Sequence, residues 1–395
     1  MLFYIYLQIS RKLFLPYLLL YTNTELSSYV FRKYLQYLLH HSEFLFSVLK
    51  HFAHSSLISN RNYVIFSEKT RSITLNSIGA SVRSVGYTDS ADKFKNIAFS
   101  FSSDSDYTGN PLYAGATLGP CAGRISGGSL SLPEKNYSLT RNEKNRHCLH
   151  SGIHSVSFIN WTLVSIREED TSAEVLFQCT LPDGCDGFPG NRTFSVSYLL
   201  NEAHELTVRY RAVSDKTTYF NISNHSYFNL SGNFEESVYD HLLQIHADSY
   251  IYNDDEFIPE GIAPVENSPF DFRKPVSLAR QMKAFPDHPQ LTVSRGYNHA
   301  FLLNKNNDLP QLVFASPDNA QKLFVSSDAP CVVVYSGGFI ESGLRLAGNQ
   351  ISCPGCAAAF EFQDYPDAPG NHGFPFHYTE AGKEWTRYLR YTFVI

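Results

Sequence analysis

The chain has 395 residues, room for one large domain or two ordinary ones, with 43% hydrophobic, 18% charged and 14% aromatic residues. That balance excludes a largely disordered chain and leans toward strands. A formal net charge of -6 without any concentrated basic run removes the electrostatic footprint that a nucleic-acid partner requires.

Residues 1–59 stand apart from the rest. They hold five Lys/Arg against two Asp/Glu, many Leu, Phe and Tyr, and almost no Gly. Phe31, Leu35, Leu38, Leu45, Leu49 and Phe52 recur at roughly helical spacing, so an amphipathic helical or disordered extension of unknown role is expected. Leu13 to Tyr21 follows Arg11 and Lys12 as a signal-peptide core would, but it contains Pro16 and falls short of the ~20 residues of a spanning helix. A membrane anchor is therefore not expected.

From Asn60 the texture changes to short alternating strands broken by Gly, Pro, Asn and Asp. Val64-Ile65-Phe66, Ser72 to Leu75, Phe194 to Tyr198, Leu206 to Tyr210 and Tyr391 to Ile395 all read this way. No low-complexity linker and no internal repeat interrupts the pattern, so residues 60–395 are expected to form one all-β domain, a sandwich or barrel.

Within that domain, polar residues in special settings come in chain order. Arg124 lies in Gly123-Arg124-Ile125-Ser126-Gly127-Gly128, where glycines on both sides let a ligand approach the backbone. His150, in Leu149-His150-Ser151-Gly152, is by itself as well explained as a turn residue. Cysteines 121, 148, 179, 185, 331, 353 and 356 form an odd, scattered set that reads as free thiols in a reducing compartment, hence the cytoplasm. Cys353-Pro354-Gly355-Cys356 has half-site spacing, but no second pair completes a zinc set, and a structural loop is expected.

Tyr219 to Leu230, read as one strand, puts Tyr219, Asn221, Ser223, His225, Tyr227 and Asn229 on one face. Hydrogen-bonding side chains beside aromatic rings suit a sugar, whose hydroxyls need partners while its C–H faces stack. A solvated face with an exposed histidine is the plain alternative. The same segment holds the sequons at Asn221, Asn224 and Asn229, too crowded to be glycan sites beside a working surface. Farther on, Glu361 alternates with Phe360 and Phe362, which places it on the polar face of a strand whose other face is core.

Taken together, these segments resemble the aldose 1-epimerase (galactose mutarotase) family from about residue 60 to the C-terminus. The matching stretches run in order: Gly115 to Pro120 with Gly123-Arg124-Ile125, then Leu149-His150-Ser151-Gly152 with Trp161, then Asn224-His225-Ser226-Tyr227-Phe228-Asn229-Leu230. Ile258-Pro259, Ser268 to Phe272, Gly296-Tyr297-Asn298-His299 and Glu361 to Pro369 follow. The resemblance implies a large antiparallel β-sandwich with its site in a concave sheet face. It implies Glu361 as general base and His225 as general acid, with His150, Arg124, Asn298 and Tyr227 binding substrate. Neither metal nor organic cofactor is implied, and the partner is a small sugar. Asn298 stands where the family usually has Asp, which removes a charge-assisted bond to sugar hydroxyls.

The expected reaction is interconversion of the α and β anomers of an aldose by acid–base ring opening and reclosure. A sugar-phosphate epimerase or a non-catalytic sugar binder of the same fold is the alternative, although a phosphate site calls for several clustered Arg or Lys and Arg124 is the only cation within these motifs. A glycoside hydrolase would instead pair Glu361 with Asp364 or Asp367, both in a probable turn beside Pro366. The sequence specifies neither the preferred aldose nor an oligomeric state.

Overall fold

The computed structural model of the chain describes residues 55–59, 62–68, 71–89, 92–304 and 309–395. The helix expected near residues 31–52 and the apolar run at 13–21 lie outside the described residues. The first described strand, Ser55–Ser59, pairs antiparallel with Asn62–Glu68, so pairing begins before residue 60.

Antiparallel sheets dominate. An N-terminal meander of five strands runs in chain order from Ser55–Ser59 to Phe94–Asn96. A nine-stranded sheet begins with the meander Thr162–Glu169, Ser172–Leu181, Arg192–Asn201 and Glu205–Ser214. It continues through the C-terminal strand Glu384–Val394 to Lys322–Ser327, Leu312–Ala315, Leu242–Ile245 and Val276–Ser277. A six-stranded sheet follows the order Tyr227–Phe228, Ala358–Gln363, Cys331–Tyr335, Asn298–Leu303, Ala247–Asn253 and Pro259–Pro264. Among the described residues the longest helix is Leu278–Ala284, capped by the Ser277 hydroxyl, and none is long and apolar enough to cross a membrane.

The strands form for the reason their sequences suggest. In Ser172–Leu181 every second residue, Ala173, Val175, Phe177, Cys179 and Leu181, is buried, and the residues between face outward. Burying such a Val, Leu or Phe side chain stabilises the fold by roughly 1.5–3 kcal/mol. Residues of all three large sheets meet in one core cluster that includes Val175, Phe194, Phe301, Leu323, Phe360 and Tyr391.

Tyr219 to Leu230 departs from the single alternating strand expected of it. Ser223–Asn224 pairs with Thr117–Leu118, whereas Tyr227–Phe228 pairs with Ala358 and Ala359 in a different sheet. The Asn224 side chain causes the break: its Oδ1 accepts from the Ser226 amide and its Nδ2 donates to the Gly115 carbonyl. A local side-chain bond of this kind competes with the strand ladder. Both faces are consequently buried. Asn221 and Asn229 serve structure too: Asn221 Oδ1 accepts from Asp364 and Arg387, and Asn229 Nδ2 donates to the Cys356 carbonyl. Their amides are therefore enclosed rather than presented to glycosylating enzymes.

Candidate active site

The cavity floor follows from strand register. Cross-strand partners share a sheet face, so Tyr227, Ala359, Tyr335 and Asn298 form one row. Glu361, Val333 and Ala300 form the next. The alternate residues Phe360, Phe362, Val332, Val334 and Phe301 point the other way and pack into the main core. Small side chains at Ala300 and Val333 leave space above them. The result is a cavity of about 570 Å³ lined by Arg124, His150, His225, Tyr227, Asn298, Glu361 and Gln363 among others. All six residues singled out from the sequence therefore reach one cavity.

His225 occupies the bend between the two short strands of its segment. Its amide donates to Ala116 O and its carbonyl accepts from Gly115 N. Gly115 has φ +71°, and a Cβ there would collide with the Val82 carbonyl, so this support needs glycine. The imidazole lies beside the Tyr227 ring, centroids 4.7 Å apart, and its Nε2 stands 3.5 Å from Glu361 Oε1. Its Nδ1 is buried without a hydrogen-bond partner among the described residues, so Nε2 is the nitrogen that meets the cavity.

His150 lies beside this pair, its ring 5.4 Å from that of His225 and nearly perpendicular to it. Its backbone is left-handed (φ 47°), and it exchanges two bonds with Gly123: its amide donates to Gly123 O, and the Gly123 amide donates to Nδ1. An Nδ1 that accepts leaves the proton on Nε2, so the neutral ring is a donor. Burial, aided by the neighbouring His225 and Arg124, holds this histidine well below its usual pKa.

Arg124 is held by Glu143, which accepts from Nε at 2.8 Å and from Nη2 at 2.6 Å, while the guanidinium stacks 4.9 Å from the Phe257 ring centroid. Asn298 opens its strand half-buried, and its side-chain amide has no hydrogen-bond partner among the described residues. The Tyr227 hydroxyl donates to Leu112 O at 3.1 Å, so this residue contributes mainly its ring.

Burial sets the protonation of the central pair. It pushes Glu361 up to about 8, against a smaller opposing pull from Arg124, and pushes His225 down to about 4. At neutral pH the carboxyl therefore holds a proton and the imidazole is neutral. The pair carries one mobile proton between an acid and a base in contact, the equipment for general acid–base chemistry.

Donor atoms of His150, His225 and Glu361 lie within 4.8 Å of one another, the spacing of a three-ligand metal site. His150 does not suit that role. Its Nδ1 lone pair is engaged by Gly123 and its Nε2 bears hydrogen, so the ring offers no free lone pair.

Tyr113, Glu143 and Phe257 also line the cavity, and sequence reasoning missed them. Tyr113, left-handed at φ 53°, sets its ring 4.6 Å from His150 and 6.2 Å from His225. No spacing signal marks these residues, because loops bring them in. Gln363 was discernible, lying two positions beyond Glu361 on the same strand face.

The Aldose 1-epimerase family model matches residues 61–392. The chain is 30% identical to the galactose mutarotase of Rattus norvegicus over 323 residues, covering 81% of this chain and 90% of the rat protein. It is 29% identical to the aldose 1-epimerase of Escherichia coli (strain K12), covering 82% and 92%. The crystal structure of galactose 1-epimerase from Lactobacillus acidophilus NCFM superimposes with a TM-score of 0.73 at 28% identity, over 84% of this chain and 93% of that one. A family model that covers all but the first of the described strands, relatives similar over most of their length and a shared architecture agree: the chain belongs to the aldose 1-epimerase family.

Proposed function

We propose that the protein interconverts the α and β anomers of an aldose, with Glu361 as general base and His225 as general acid. One observation carries this reading: a carboxyl and an imidazole, 136 positions apart in sequence, meet at 3.5 Å in one largely buried cavity. Ring opening needs that closeness, because the hydroxyl that loses its proton and the ring oxygen that gains one are bonded to the same carbon. Glu361 removes the proton from the C1 hydroxyl, whose electrons form the aldehyde C=O. The C1–ring-oxygen bond breaks, and its electron pair takes the proton from His225. After rotation about C1–C2, the reverse steps close the ring on the other face and restore both groups.

Hydrogen bonds from sugar hydroxyls to the Glu361 carboxylate favour its ionised form, and the proton it releases is the one His225 needs. His150 Nε2–H, the free Arg124 Nη1 and the Asn298 amide are suited to hold the remaining hydroxyls. Tyr113 and Tyr227 offer rings for the C–H faces. Asp364 is paired with Arg387, Asp367 accepts from the Ser126 amide, and neither lines the cavity, which speaks against the hydrolase alternative. Seven free cysteines, most of them buried, support a cytoplasmic location.

Polarimetry tests the reading. Freshly dissolved α-galactose, α-glucose and other crystalline aldoses should relax to their equilibrium rotation faster with the protein than in buffer. Relaxation at the buffer rate for every sugar would refute it.

A further inference from the structure

Glu143 stands at the base of a tight turn, which its reciprocal backbone bonds with His147 close. That turn is fastened to the neighbouring 254–258 loop, where Glu256 accepts from Arg146 at 2.7 Å and lies 3.3 Å from His147 Nε2. The same loop holds Phe257 at φ 64°, with the Glu256 and Ile258 amides both donating to Asp254 Oδ1. A left-handed aromatic residue is strained, and here the strained conformation sets the ring against Arg124.

Arg124 is thus clamped by two carboxylate oxygens and an aromatic face, with side-chain exposures of 16% for Arg124 and 19% for Glu143. The Nε–Nη2 edge, which would grip a phosphate or carboxylate of a ligand bidentately, is already occupied by Glu143. The other lining charges, Lys144 and Glu341, are exposed, while Arg124 and Glu143 cancel each other deeper in. A neutral polyhydroxy ring meets a neutral interior, whereas an anionic ring finds its nearest unpaired cation, Lys144, only at the exposed rim and must give up its hydration to go deeper.

We propose that Glu143 is a specificity-determining residue: by occupying Arg124 it restricts the cavity to uncharged aldoses and excludes sugars that carry a carboxylate or phosphate. The proposal rests on the mutarotase reading above. It assigns Glu143 no part in the proton transfers, and it makes the charge balance of the ion pair, rather than the cavity's size, the source of discrimination.

The test compares sugars that differ only in C6, galactose with galacturonate and glucose with glucuronate, followed by polarimetry with wild type, Glu143→Gln and Glu143→Ala. Wild type should favour the neutral member of each pair, and either variant should shrink that kcat/KM ratio at least tenfold. In Glu143→Gln the high-pH limb for neutral sugar should also move below about 8, because an uncompensated Arg124 pulls Glu361 down harder. Ratios unchanged in folded variants, checked by thermal melt, would overturn the proposal. If wild type accelerates no sugar, the mutarotase reading fails on its own. Calorimetric binding of galactose and galacturonate then decides the role of Glu143, which stands only if the variants gain galacturonate affinity at least tenfold relative to galactose.

Discussion

The strands Ser172–Leu181 and Ala358–Gln363 share a two-residue period but meet different surroundings. In the first, alternate residues enter the core and the rest reach the outer surface. In the second every residue is buried, because Phe360 and Phe362 enter the core while Glu361 and Gln363 close the cavity floor. Burial therefore has two outcomes here. On the apolar face it stabilises the fold, and on the cavity face it displaces the protonation of Glu361, a cost that becomes chemistry.

The sharpest way to break that contrast is to alter one face at a time. Glu361→Gln and His225→Asn should each slow mutarotation by ~10²–10⁴-fold. Glu361→Gln should leave the melting temperature at pH 7 nearly unchanged, since burial already keeps this carboxyl protonated there. Polarimetry beside a thermal melt reads both effects, and a variant with full rate would remove that residue from its role. Phe362→Ala on the adjacent position should do the reverse, costing ~3–5 kcal/mol in a denaturant titration while the folded fraction retains most of its kcat.

The pH profile sharpens the comparison further. The central pair holds one proton between about 4, where His225 titrates, and about 8, where Glu361 titrates. Below that window the imidazole gains a second proton and no base remains; above it the carboxyl loses the only proton and no acid remains. The rate should be level between these limits and fall roughly tenfold per pH unit outside them. A profile flat past pH 9 would contradict the buried carboxyl. The smallest expected effect is that of Tyr227→Phe, which removes the bond to Leu112 O and should cost about 1 kcal/mol of stability, with a modest change in KM.

Much of this was legible in the residues themselves. Strands such as Phe194 to Tyr198 and Leu206 to Tyr210 fall where alternation puts them, inside Arg192–Asn201 and Glu205–Ser214. Alternation also places Glu361 and Gln363 on the face opposite Phe360 and Phe362. It failed at Tyr219 to Leu230, because the Asn224 amide offers the backbone a local bond that a period-two reading does not anticipate. Glu143 was out of reach for another reason. Its partner Arg124 lies 19 positions earlier, and nothing in the intervening turn-rich stretch announces that the chain folds back to meet it.

The sequence by itself determined the predominantly β class, because a two-residue period is a local property, and its ordered motifs pointed through their resemblance to the family and to the six residues that line the cavity. Only the tertiary structure decided the 3.5 Å meeting of His225 with Glu361, the proton-bearing nitrogen of His150 and the capture of Arg124 by Glu143. Each depends on segments distant in the chain being enclosed together, where loss of water turns ordinary side chains into a coupled acid and base.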